Sequence, residues 1–147
     1  MFDDIHLGRR QMMPKIKSKN TSIEIKCRKG LFARGFRYRK NVRTLPGTPD
    51  IVLKKYNTVI FVNGCFWHHH SGCGKARTPK THVDFWEEKI NRNIKNDLIH
   101  QEQLGELGWN VIVVWECELS KKSFHQTMDK VNIQLEENLA KLNAIRE

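Results

Sequence analysis

Long apolar runs are missing from this 147-residue chain. None approaches the ~18 residues that a membrane-spanning helix needs. The leading stretch MFDDIHLGRRQMMPKIKSKN also lacks an apolar centre, so it does not read as a secretory signal, and a cytoplasmic location is expected. No internal repeat is visible, which argues against solenoids and propellers. Acidic residues are scarce, 16 against 26 Lys and Arg, and the formal net charge is +10. An excess of that size favours polyanionic partners, with nucleic acid the first candidate. Cysteine is limited to Cys27, Cys65, Cys73 and Cys117. In a reducing compartment cysteines that lie near histidines fit metal ligation better than disulfides.

The length suits one domain with a real core. Residues 1–20 hold basic residues and few apolar anchors, so they read as an arm, with a single domain over 21–147. Thr21 or Ser22 can cap a helix that has Glu24 in its first turn and Ile23, Cys27, Leu31 and Phe32 at helical spacing, stopping at Gly35. FRYRKNV alternates like a half-exposed strand. After the turn LPGTPD, the β-branched runs DIVL and TVIFVN form a hairpin, which sets Asp50 beside Val62 and Asn63 at its open end. Residues 82–107 carry Phe85, Ile90, Ile94, Leu98 and Leu104 near helical period, WNVIVVW reads as a buried strand, and 123–145 as an amphipathic helix. The order α-β-β-β-α-β-α predicts a three-layer α/β domain with a mixed sheet.

The segment NGCFWHHHSGC concentrates the chemistry. Cys65, His70 and Cys73 form C-x4-H-x2-C, and Cys117, just past the later strand, is the natural fourth ligand. Three thiolates and one imidazole suit tetrahedral Zn²⁺ and leave no position open for water, so the site would be structural. Cys27, on the inner face of the first helix, reads as core. His68 and His69 are then spare, and a neutral imidazole is a ready general base. Asp50 can hold Mg²⁺, with the Val62 carbonyl as a second oxygen donor, although a turn acid after proline has a plainer use. Phe66, Trp67 and Trp86 can pack in the core or stack on and wedge between bases.

Taken together, KSKNTSIE, PGTPDIVL, VIFVNGCFWHHH, FWEEKINRN and LGWNVIVVWECEL resemble the very-short-patch (Vsr) mismatch-repair endonucleases over roughly Met12 to Leu119. The resemblance implies a restriction-endonuclease-like PD-(D/E)XK fold with a structural zinc. It implies an enzyme that nicks one strand of double-stranded DNA 5′ to the thymine of a T·G mismatch. On that likeness Asp50 and the Val62 carbonyl bind catalytic Mg²⁺, His68 activates the attacking water, and Asp97 and Glu24 support them or the metal's waters. Zinc is held by Cys65, His70, Cys73 and Cys117. Phe66, Trp67 and Trp86 enter the duplex beside the mismatch, with Met13 entering from the opposite groove. A link to the MutL repair protein and action as a monomer are also implied. The chain departs from the family at Val62–Asn63, where the better-known members carry Thr-His. A nicking enzyme of broader mismatch or sequence specificity, and a zinc-stabilised DNA-binding module without catalysis, are the alternatives.

Overall fold

The computed structural model describes residues 21–66, 68, 70, 72–73 and 80–146. Helix α1 runs Ser22–Ala33, and its cap is local chemistry: the Thr21 hydroxyl accepts the Glu24 N–H at 3.3 Å. Gly35 ends it at φ +92°, where the Gly35 and Phe36 amides donate back to the carbonyls of Phe32 and Leu31. Strands β1 (Arg39–Lys40), β2 (Ile51–Leu53) and β3 (Thr58–Asn63) follow, then helix α2 (Val83–Glu106), strand β4 (Asn110–Trp115) and helix α3 (Phe124–Arg146). Short 3₁₀ turns at Lys54–Tyr56 and Glu116–Leu119 join the second to the third strand and the fourth strand to the last helix.

The sheet order is β1-β2-β3-β4, with antiparallel pairing up to β3 and a parallel β3–β4 pair. Side chains alternate across it as the strand period demands. Ile51, Leu53, Ile60, Val62 and Val114 form one core with Cys27 and Leu31 of α1 and Met128, Val131 and Leu135 of α3. On the other face Val52 and Val59 meet Leu104 of α2. The result is a mixed four-stranded sheet between helices, as the element order predicts. A buried polar link ties the layers: the Asn138 amide of α3 donates to the Thr58 hydroxyl at 3.0 Å, which donates to the Tyr56 carbonyl at 2.8 Å. Among the described residues no helix is long and apolar enough to cross a membrane.

Three expectations are corrected. Strand β4 is not buried throughout, because it is the sheet's edge; only Val114 is fully covered. The half-exposed strand at FRYRKNV contracts to two residues. Phe85 and Leu98 of α2 and Phe32 of α1 are exposed. At 100° per residue, Trp86, Ile90 and Leu104 share one narrow stripe of α2, which is the one that is buried, and Phe85 and Leu98 fall off it. Phe32 instead lies under the Arg37 guanidinium, 3.9 Å from its centroid.

Helices α1 and α3 pack closely at Gly30. A Cβ there would sit 2.6 Å from Met128 Sδ and 2.8 Å from Phe124 Cζ. Replacing Gly30 with Leu should therefore overpack the crossing and lower stability by about 1–3 kcal/mol, as read from the midpoint of urea unfolding.

Candidate active site and metal centre

The parallel register sets Asn63 opposite Trp115. Cys65 and Cys117 each lie two residues past those partners, so equal offsets from paired residues bring distant cysteines side by side. The Cys117 N–H donates to Cys65 Sγ at 3.4 Å, and the Cys65 N–H donates to Glu116 Oε1 at 3.2 Å. Between them the chain turns tightly, with His70 N–H on the Cys65 carbonyl and Cys73 N–H on the His70 carbonyl. The ligand atoms of Cys65, His70, Cys73 and Cys117 all fall within 4.8 Å of one another. His70 Nδ1 is 3.7 Å from Cys65 Sγ and 3.3 Å from Cys117 Sγ. Those spacings match the edges of a tetrahedron with thiolate and imidazole bonds of about 2.3 and 2.0–2.1 Å. The His70 ring stacks on Trp115, centroids 4.2 Å apart and planes 8° from parallel. Burial pushes the Cys65 and Cys117 thiols up, so as thiolates they need a cation close by. The donor set can hold a metal.

A second cluster gathers at the start of β2. The turn before it reverses through Gly47 at φ +75° and Thr48 at φ +47°, and Gly47 packs so tightly on α2 that a Cβ would meet His100 Cβ at 2.9 Å. Asp50 then accepts the Val62 N–H on Oδ2 at 2.7 Å, across the hairpin. Burial raises its carboxyl to about 7; the Glu24 charge adds to the rise, while the Val62 amide, His68 and Arg28 oppose it. Glu24 is 3% exposed on the inner face of α1. His68 is half-buried, and its Nδ1 hydrogen-bonds Asp97 Oδ2 at 2.5 Å. With the carboxylate accepting, Nδ1 carries the proton of the neutral ring and Nε2 is left basic.

Thus Asp50 lies within electrostatic reach of both Glu24 and His68, with Asp97 behind the imidazole. Asp97 and Glu24 carried a signal that periodicity alone could have exposed. Asp97 sits seven residues from both Ile90 and Leu104 on the buried stripe of α2, and Glu24 lies on the buried face of α1 with Cys27, Arg28 and Leu31. Acids on apolar stripes need a reason. Arg28 was missed altogether. Cys27 is fully buried core as expected, its thiol pushed up to about 12 mainly by burial. The Val62 side chain lies in the core, and Asn63 is 5% exposed at the end of β3.

The aromatics form a cluster. Trp86, 7% exposed, meets Phe66 and Phe85 edge-on, with centroids 5.3 and 5.2 Å away. Phe66 is half-buried. Met13, Trp67, His69 and the N-terminal arm lie outside the described residues.

Residues 3–75 match the family described as DNA mismatch endonuclease Vsr. The chain is 53% identical over 112 residues to the Type II nicking enzyme V.NmeAIP of Neisseria meningitidis, an overlap of 76% of this chain and 79% of the relative. It is 46% identical over 112 residues to the Type II nicking enzyme V.XorIIP of Xanthomonas oryzae, covering 76% and 82%. With the DNA mismatch endonuclease Vsr of Escherichia coli it shares 42% identity over 118 residues, 79% of this chain and 75% of that one.

The raised Asp50 carboxyl has a measurable consequence. A group whose pKa is higher folded than unfolded adds stability below its unfolded value and loses that contribution as pH rises through the folded one. Without added divalent metal, stability should therefore fall from about pH 4 to about pH 7 through this group. Asp50→Asn should flatten the slope by up to about 1.4 kcal/mol per pH unit. Urea unfolding of both proteins across that range checks it, and equal slopes would exclude a proton-holding Asp50.

Proposed function

Since the chain belongs to the Vsr family of DNA mismatch endonucleases, we propose that it nicks one strand of duplex DNA 5′ to the thymine of a T·G mismatch, with Mg²⁺ at Asp50 and Zn²⁺ at the four-ligand cluster, on a PD-(D/E)XK fold. The observation that carries this reading is the pairing of a half-buried acid with an oriented imidazole: Asp50 at the hairpin mouth, and His68 held at Nδ1 by Asp97.

A half-buried carboxylate whose proton is held to about 7 has a reason to bind a cation, since a divalent metal in place of the proton would offset the cost of the bare charge. Held by Asp50 with the Val62 carbonyl, Mg²⁺ would supply charge neutralisation at the scissile phosphate and polarise water. The donors present are oxygens, as that ion prefers: the Asp50 carboxylate, the Glu24 carboxylate nearby, and the Val62 carbonyl. Asp97 fixes the tautomer and aim of His68. The Nε2 lone pair then takes a proton from water as its oxygen attacks phosphorus, in line with the departing oxygen. Asp97 also steadies the imidazolium that results. Both the acid and the imidazole belong to one chain, which supports action as a monomer.

Zinc at Cys65, His70, Cys73 and Cys117 would tie the loop after β3 to the turn after β4, and His68 lies on that loop, between two of the ligands. Phe66, beside the cluster, and Trp67 and Trp86 are the side chains we assign to the duplex, with Met13 on the arm. The basic excess supports backbone contact with the phosphates. The Phe66–Trp86 contact would have to open or tilt for either ring to enter the stack. Several relatives are named as nicking enzymes, so the range of duplexes cut is part of the test.

Incubated with Mg²⁺ and an end-labelled duplex carrying one T·G mismatch, the protein should nick the thymine strand and spare the matched duplex. Asp50→Ala and His68→Ala should each slow nicking by about 10²-fold or more. Full activity of Asp50→Ala would remove the proposed centre, and equal cutting of every mismatch in a panel would remove the T·G preference. In a separate measurement, purified protein should contain about one zinc ion per chain. Stripping it, or replacing Cys117 with Ser, should lower the melting temperature and disorder the His68 environment, visible as lost NMR dispersion of the histidine ring signals.

A further inference from the structure

Helix α1 carries an arginine where its packing favours an apolar residue. Arg28 is 5% exposed on the face shared by Cys27 and Leu31, which covers the sheet. Its Nη1 lies 3.4 Å from Oε2 of Glu24, one turn earlier and 3% exposed. The other oxygen of that carboxylate, Oε1, accepts the Thr21 hydroxyl at 3.2 Å. Both Glu24 oxygens are therefore held from within the same helical segment, by the capping Thr21 and by Arg28, which fixes the carboxylate's direction. Burying such a pair costs several kcal/mol per ion, so stability alone is a poor reason to keep it. By contrast, Lys26 and Lys29 on the same helix are exposed.

The pair does not stand alone. The Arg28 charge also reaches Asp50 and Cys27, while Glu24 and Asp50 repel each other. The almost fully buried Glu24–Arg28 pair thus lies within electrostatic reach of the half-buried Asp50. A guanidinium cannot shed its proton there, whereas a lysine could. We propose that Arg28 is a positioning residue of the nicking centre: it aims Glu24 and serves as a permanent counter-charge to Glu24 and Asp50, keeping the two acids together before a divalent metal arrives and raising the metal concentration needed to fill the site. This rests on the assignment of Asp50 as the metal-binding acid.

The test uses full-length, zinc-loaded protein in buffer stripped of Mg²⁺, with melting temperature followed as Mg²⁺ or Mn²⁺ is added. Arg28→Met should melt lower than wild type without the metal, gain more on its addition, and reach half-effect at a metal concentration at least about fivefold lower. Arg28→Lys should fall between the two. In the Asp50→Asn background the same Arg28→Met change should cost less, because one of the charges it balances is gone. An unchanged midpoint in Arg28→Met, with wild type responding, would overturn the counter-charge role and leave the Asp50 assignment standing. No metal response in wild type would overturn both. Should Arg28→Met fail to fold, Arg28→Met/Asp50→Asn should fold, and a double variant as disrupted as the single would also refute the proposal.

Discussion

The parallel, in-register contact between β3 and β4 is the constraint on which the rest depends. Opposing Asn63 to Trp115 gives Cys65 and Cys117 equal offsets and makes them neighbours. It also starts the histidine-bearing loop at the mouth of the β2–β3 hairpin, where Asp50 is fixed by the Val62 amide. A slip of one residue in this pairing would turn β4's inward residues outward and separate the cysteines. The backbone ladder thus sets the Cys–His cluster and the acid–imidazole pair in one stroke.

Around that ladder the charged groups are buried in a pattern that hydrophobic packing does not explain. Glu24 and Arg28 on α1, Asp50 on the hairpin and Asp97 on α2 come from three elements, and each side chain is turned inward or partly covered. Core stability would favour aliphatic side chains at such places. Asp97 hydrogen-bonds His68, and Asp50 lies within electrostatic reach of Glu24, Arg28 and His68, a grouping of charge that supports the proposed site. Cys65, His70, Cys73 and Cys117 form a different kind of group, four side chains placed so that they could hold an ion between them, with the His70 ring stacked on Trp115.

Much of this was legible from residue patterns. A cap at Thr21 or Ser22, Gly35 as helix stop, the hairpin over 50–63 and the four-ligand set follow from local chemistry or spacing, and each has its counterpart in the fold, the cap at Thr21. The misreadings share a cause. Apolar content alone does not say which strand is the sheet's edge, so β4 read as covered when only Val114 is. A wide helical period admitted Phe85 and Leu98 to a stripe that tertiary packing narrows to Trp86, Ile90 and Leu104. Arg28 was invisible because an arginine among lysines on a basic helix reads as solvated surface; only the position of the sheet beneath α1 reveals otherwise.

The β3–β4 ladder joins strands separated by the whole stretch 64–109, helix α2 included. Closing so long a loop costs entropy before any ladder bond forms, so this pairing belongs to the late part of assembly. A metal gripping Cys65 and Cys117 would act as a latch on that closure, coupling the ion's availability during synthesis to the yield of native chain. The hairpin and α1, built from short-range contacts, have no such dependence, so a newly made chain short of the ion would hold its acids in place while the imidazole loop stayed unfastened.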